Sequence, residues 1–126
     1  MHLIRGTTLT VADLAASKAL YCAWLDYECV ETGHITDNLA QSWNAPKTAG
    51  AAYAVLRPAS GRAIYIRLIE QPAVAGYKAL RTYGWAAIEI CNQDTLAVNT
   101  RMEKSPFEII GPPKQLDGMP AIFPMQ

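Results

Sequence analysis

Arg67 offers the clearest chemistry in this chain. It lies in the alternating run at residues 63–70, two positions after Tyr65. Side chains two apart on a strand share a face, so Tyr65, Arg67 and Ile69 are expected on one side, with Ile64, Ile66 and Leu68 on the other. A guanidinium grips a carboxylate or an enolate through two parallel N–H bonds, and an aromatic neighbour stacks on the apolar body of the same molecule. A second run, residues 84–91, places Trp85, Ala87, Glu89 and Cys91 together, against Ala86, Ile88 and Ile90. There Glu89 is a candidate base and Trp85 a second stacking surface. Thr8 and Thr10 share one face of an early run and add hydroxyls. Trp43, just before Asn44-Ala45-Pro46, either caps a ligand site or anchors its own loop. The competing reading makes Arg67 and Glu89 an ion pair that neutralises two adjacent strands, with the aromatics left to packing.

Other chemistries find little support. His2 and His34 are the only histidines, one near the terminus and one at an expected strand end, and both are expected to be solvated. No Ser-His-Asp or Cys-His set can be built from them. The eight glycines are scattered through turns and form no phosphate loop. Cys22, Cys29 and Cys91 are odd in number and widely spaced, which argues against a disulfide framework. No Cys-x-x-Cys or His-x-x-x-His pair suggests zinc. The three cysteines are therefore read as small buried hydrophobes.

The elements that must position these residues follow from hydrophobic periodicity. Residues 3–11 alternate as a half-buried strand. Asp13 is the expected N-cap for a helix over residues 14–25, because its carboxylate can accept the free amides of the first turn. Its alanines suit close packing on a sheet. Residues 29–35 read as a strand. Thr36-Asp37 opens a short helical turn that Asn44-Ala45-Pro46 stops. Residues 51–57 and 63–70 are strands joined through Pro58-Ala59-Ser60-Gly61. The pattern then restarts: a strand over 84–91, Asp94 capping a helix over 95–104, a strand over 107–110, a turn at 116–120 and the start of a strand over 121–126. The order is strand, helix, strands, written twice.

Composition bounds the partners. The chain has 126 residues, enough for one domain, with 51% hydrophobic and 17% charged residues. That balance excludes intrinsic disorder. Eleven basic and eleven acidic residues give zero net charge, so neither nucleic acid nor an anionic membrane surface is an expected partner. No apolar run approaches the roughly 20 residues of a membrane span. Residues 1–10 lack a signal-peptide layout, which suggests a cytoplasmic protein.

The stretch from Asp13-Leu14 through Ser17, Leu20-Tyr21 and Leu25-Asp26-Tyr27 resembles the first-helix signature of the vicinal oxygen chelate superfamily. That superfamily includes glyoxalase I, bleomycin-resistance proteins and extradiol dioxygenases. Its pattern is Asp-Leu, a Ser three later, an aromatic-Tyr pair and then Leu-Gly-aromatic. Leu20 replaces the usual Phe and Asp26 the usual Gly. The strand before it, the Trp43-Asn44-Ala45-Pro46 loop and the run Gly84-Trp85-Ala86-Ala87-Ile88-Glu89-Ile90 extend the resemblance over nearly the whole chain.

The resemblance implies an α+β fold of two βαβββ modules forming a curved, incomplete barrel whose concave faces hold a ligand. The expected division is a single glyoxalase-like domain over 1–126. It comprises a first module at 1–72, a connector at 73–83 and a truncated second module at 84–126 without its last strand. On that cup Arg67, Glu89, Trp85, Tyr65, Thr8 and Thr10 would line one cavity, with Arg67 and Glu89 in catalytic roles. The family's metal positions fall on Gly6, Arg67 and Trp85, which supply no anionic or imidazole donor. No cofactor is therefore expected, and a divalent metal is kept only as a minor alternative. The expectation is a protein that binds a small aromatic or carboxylated molecule, with lyase, isomerase or dioxygenase activity left open. The alternatives are a non-catalytic binding or resistance protein, and a structural module of a larger protein. The short second module further suggests a homodimer, or a longer chain that supplies the missing strand.

Overall fold

The computed structural model describes residues 4–78, 81, 83, 87–115, 117–118, 121–122 and 125. The chain divides into two compact units, Met1–Tyr77 and Lys78–Gln126.

The first unit runs β1 (Gly6–Val11), α1 (Leu14–Trp24), β2 (Tyr27–His34), α2 (Asp37–Ser42), a 3-10 turn (Pro46–Thr48), β3 (Ala52–Pro58) and β4 (Tyr65–Glu70). The four strands form one open sheet in the order β1-β4-β3-β2. β1 pairs parallel with β4, and the other neighbours pair antiparallel. This is the expected βαβββ arrangement. Caps read from the sequence hold it in place: the Ala16 amide donates to Asp13 at 2.8 Å and the Leu39 amide to Thr36 at 3.2 Å. Glu70, at the end of β4, accepts from the Leu14 amide at 3.0 Å and so ties the start of α1 to the sheet.

Alternation sorts the sheet into two faces. Ala54, Leu56, Ile66 and Leu68 are buried on the face that α1 covers, where Tyr21 of α1 meets Tyr27 of β2 edge-on at 5.9 Å. Ile69 points to the other face and joins Ile35 and Ala40 in a small cluster, onto which Leu39, Trp43 and Tyr53 pack. α2 therefore covers one end of the second face.

Two local expectations are corrected. All three cysteines are exposed. Cys22 lies on the outer side of α1 with Ala15, Ala19 and Ala23, while Leu14, Tyr21 and Trp24 are half-buried. The alanines thus turn to solvent instead of packing on the sheet, because the bulky residues already occupy the inward stripe. Cys29 stands on β2, an edge strand with no neighbour beyond it in the sheet.

The residue that replaces the glycine of the resembled family is also informative. Asp26, just after α1, has φ 56°, the left-handed conformation that ends many helices and that glycine adopts without strain. Aspartate is among the few other residues that tolerate it.

The second unit contains α3 (Thr95–Met102), capped by Asp94, which accepts from the Ala97 amide at 2.9 Å. Isolated antiparallel bridges join Ile109 to Met125 and Lys114 to Ile122. The strand expected over residues 84–91 is not formed in its described part, 87–91. An alternating pattern gives a strand only where a ladder partner satisfies its backbone, and none is present among the described residues. His2 and Trp85 lie outside the described residues.

Candidate functional site

The face of the first unit away from α1 is built in rows that cross the sheet. One row is Thr8, Arg67 and Val55, set side by side by the strand register. The next is Thr10, Ile69, Tyr53 and Gly33. Gly6 and Tyr65 form a third pair. Period-two alternation on β1 and β4 therefore brings four of the expected residues together: Thr8, Thr10, Tyr65 and Arg67.

Trp43 joins them from α2. The helix ends at Trp43, and Asn44 turns the chain away with φ 53°. This stop places the Trp43 ring 5.1 Å from the Arg67 guanidinium carbon, measured to the ring centroid. The Tyr65 ring stands 5.7 Å from the same atom. Both distances fall within cation–π range. Trp43 also packs on the Ile35–Ala40–Ile69 cluster.

Arg67 is half-buried, and among the described residues of this unit its guanidinium makes no hydrogen bond or ion pair. Contact with aromatic rings leaves a guanidinium's in-plane N–H donors available. The arrangement is a cation held by two rings with unspent donors, which suits a planar anion.

Gly6 explains part of this geometry. A Cβ at Gly6 would overlap the ring of Tyr65, so the missing side chain lets the ring lie across β1. The same position is where the resembled family draws a metal donor. The resemblance sets a carboxylate position of that family on Arg67, and a cation repels a metal. Among the described residues no three His, Cys, Asp or Glu side chains gather as a metal ion would require. The residues at Gly6 and Arg67 do not fit the metal.

Two residues of this face escaped the sequence reading: Tyr53 and Glu31. The Tyr53 hydroxyl donates to Glu31 Oε1 at 2.5 Å. This bond pushes the phenol above its ordinary value of 10.0, with partial burial and the Glu31 charge adding and the Arg67 charge opposing. Tyr53 therefore stays a neutral donor. Glu31 reaches this face through an irregularity. Cys29 pairs with Leu56 and Glu31 with Val55, so Val30 is the extra residue of a β-bulge. Without the bulge, Glu31 would share the face of Cys29. A bulge has no strong local signature, which is why strict alternation missed it.

Glu89 belongs to the second unit, where it is exposed. Trp85, the remaining expected site residue, lies outside the described residues.

Solved structures are similar to this chain, among them two of glyoxalase type. The trypanothione-dependent glyoxalase I of Leishmania major aligns with a TM-score of 0.62 at 19% identity, over 98% of this chain and 78% of that one. A glyoxalase family protein from Bacillus cereus aligns with a TM-score of 0.60 at 15% identity, over 92% of this chain and 81% of that one. No family model matches the sequence, and neither does any curated protein. The chain therefore has a glyoxalase-like α+β fold with an open four-stranded sheet. No helix among the described residues is long and apolar enough to cross a membrane.

Proposed function

We propose that this protein binds a small aromatic or carboxylated organic molecule on the face of the first unit away from α1, without a metal ion. The observation that carries this reading is Arg67: half-buried, bordered by Trp43 and Tyr65, and with no hydrogen bond or ion pair in its own unit among the described residues. A partly buried cation without a counter-charge is costly unless a ligand supplies one. A carboxylate meeting the N–H fork would do so with two charge-assisted hydrogen bonds. Thr8, beside Arg67 in the register, offers a hydroxyl to the same anion. The rings of Trp43 and Tyr65 give an apolar body somewhere to stack.

The metal-free part of the proposal rests on Gly6 and Arg67, which stand at the family's donor positions and do not fit a cation. The same grip serves catalysis if the bound group gains charge, as in an enolate. Binding alone needs no base, and it is the reading favoured here. Cytoplasmic location is part of the proposal, supported by three free cysteines, which persist in a reducing compartment.

Thermal-shift measurements with a panel of aromatic acids test this reading. A ligand that binds only the folded state raises its melting temperature. We expect carboxylated aromatics to raise that of the wild type by several degrees and to leave Arg67→Ala unmoved. No response from the wild type, or an equal response from the variant, removes the pocket role. Iron, zinc or manganese bound at stoichiometric level would overturn the metal-free part.

A further inference from the structure

The row that crosses the sheet at Arg67 ends on an acid. The register sets Thr8 beside Arg67, Arg67 beside Val55, and Val55 beside Glu31, all on the face away from α1. Neighbouring strands lie about 4.8 Å apart, so the Arg67 and Glu31 backbones are separated by two spacings, roughly 10 Å. Val55, a short apolar residue with 9% of its surface exposed, lies between them. Cation, apolar residue and anion therefore follow one another across the sheet, and no ion pair joins the two charges among the described residues.

Glu31 is equipped to accept. Its Oε1 takes the Tyr53 hydroxyl, and Oε2 has no partner among the described residues. Tyr53 sits one row from Arg67, on the diagonal of the β3–β4 pair, close enough that the Arg67 charge acts on its phenol. The bulge at Val30 is what turns Glu31 onto this face, and bulges often re-aim a side chain next to a functional site.

Building on the anion-binding reading above, we infer that the ligand is dipolar: a small aromatic acid carrying a hydroxyl or amino group at the end opposite its carboxylate. The carboxylate meets Arg67, the ring lies over Val55 between Tyr65 on one side and Trp43 and Tyr53 on the other, and the donor reaches Glu31. The charge on Glu31 also works against wrong ligands. A second carboxylate at the far end would face it and be rejected.

Isothermal titration of the full chain with benzoate, para-hydroxybenzoate and terephthalate tests this inference. A hydrogen bond to a charged acceptor changes affinity by about tenfold or more. We expect para-hydroxybenzoate to bind at least tenfold more tightly than benzoate, and terephthalate more weakly than benzoate. In Glu31→Ala the hydroxyl preference should fall to near one and the terephthalate penalty should vanish. Glu31 is exposed on an edge strand, so this variant is expected to fold, and a single cooperative unfolding transition, at a somewhat lower temperature for loss of the Tyr53 bond, would confirm it. Arg67→Ala should weaken all three acids. If benzoate and para-hydroxybenzoate bind equally but still depend on Arg67, the dipolar inference fails and the anion-binding reading stands. If none of the acids binds in an Arg67-dependent way, both fail together.

Discussion

Replacing Gly6 with alanine should change sign according to what stands at position 65. Glycine inside a strand costs roughly 0.5–1 kcal/mol relative to alanine through its extra backbone freedom. With no neighbour above it, Gly6→Ala would therefore stabilise the fold by that amount. The Tyr65 ring lies where the new Cβ must go. Tyr65 is 39% exposed, and its ring is the far end of a flexible side chain, so it can swing away without disrupting the sheet. Swinging away forfeits its contact with Arg67, worth about 0.5–1 kcal/mol at an exposed site, together with the partial burial of the ring. We put the combined loss at about 1–2 kcal/mol. With Tyr65 present, Gly6→Ala should thus be neutral or destabilising by up to about 1.5 kcal/mol. In the Tyr65→Ala background it should stabilise by roughly 0.5–1 kcal/mol. The coupling between the two sites is then about 1–2 kcal/mol, well above the few tenths expected of independent positions. Urea unfolding of the four proteins measures it, provided the slope of the transition stays constant. Equal effects of Gly6→Ala in both backgrounds would refute the account of why this strand carries a glycine at a donor position.

Two further outcomes follow from the same geometry. The Tyr53 phenol is held above 10.0 chiefly by its bond to Glu31, so the folded state favours its neutral form. The stability that this adds is present below about pH 10 and is lost as pH rises through the higher folded value. Tyrosinate absorbance should show one tyrosine titrating earlier in Glu31→Ala and later in Arg67→Ala. Unchanged curves would mean that the pair does not persist in solution. Asp26 has φ 56°, so Asp26→Val should cost about 1–2 kcal/mol by calorimetry, since a β-branched residue is strained there. A neutral result would show that the helix end relaxes.

The order of elements in the first unit was legible because it depends on local chemistry. Asp13, Thr36 and Asp94 cap their helices as their residue types suggest. Alternation in residues 63–70 put Tyr65 and Arg67 on one face, and the register added Thr8 and Thr10. Exposure of the cysteines was not legible. Cys22 and Tyr21 are neighbours in sequence, and only packing against the sheet decides which of them turns inward. The strand expected over residues 84–91 shows the same limit, since period-two patterning describes a face and leaves the partner unspecified.

The sequence by itself determined what depends on near neighbours: the periods, the caps, the turn residues and the absence of metal-donor side chains at Gly6 and Arg67. Tertiary structure alone decided what depends on residues brought together from afar. The end of α2 set Trp43 beside Arg67, and Gly6 made room for the Tyr65 ring across a parallel pair of strands. The bulge at Val30 turned Glu31 toward Tyr53. The last two rest on strand register, which is set by the whole sheet, and the first on where α2 packs and ends.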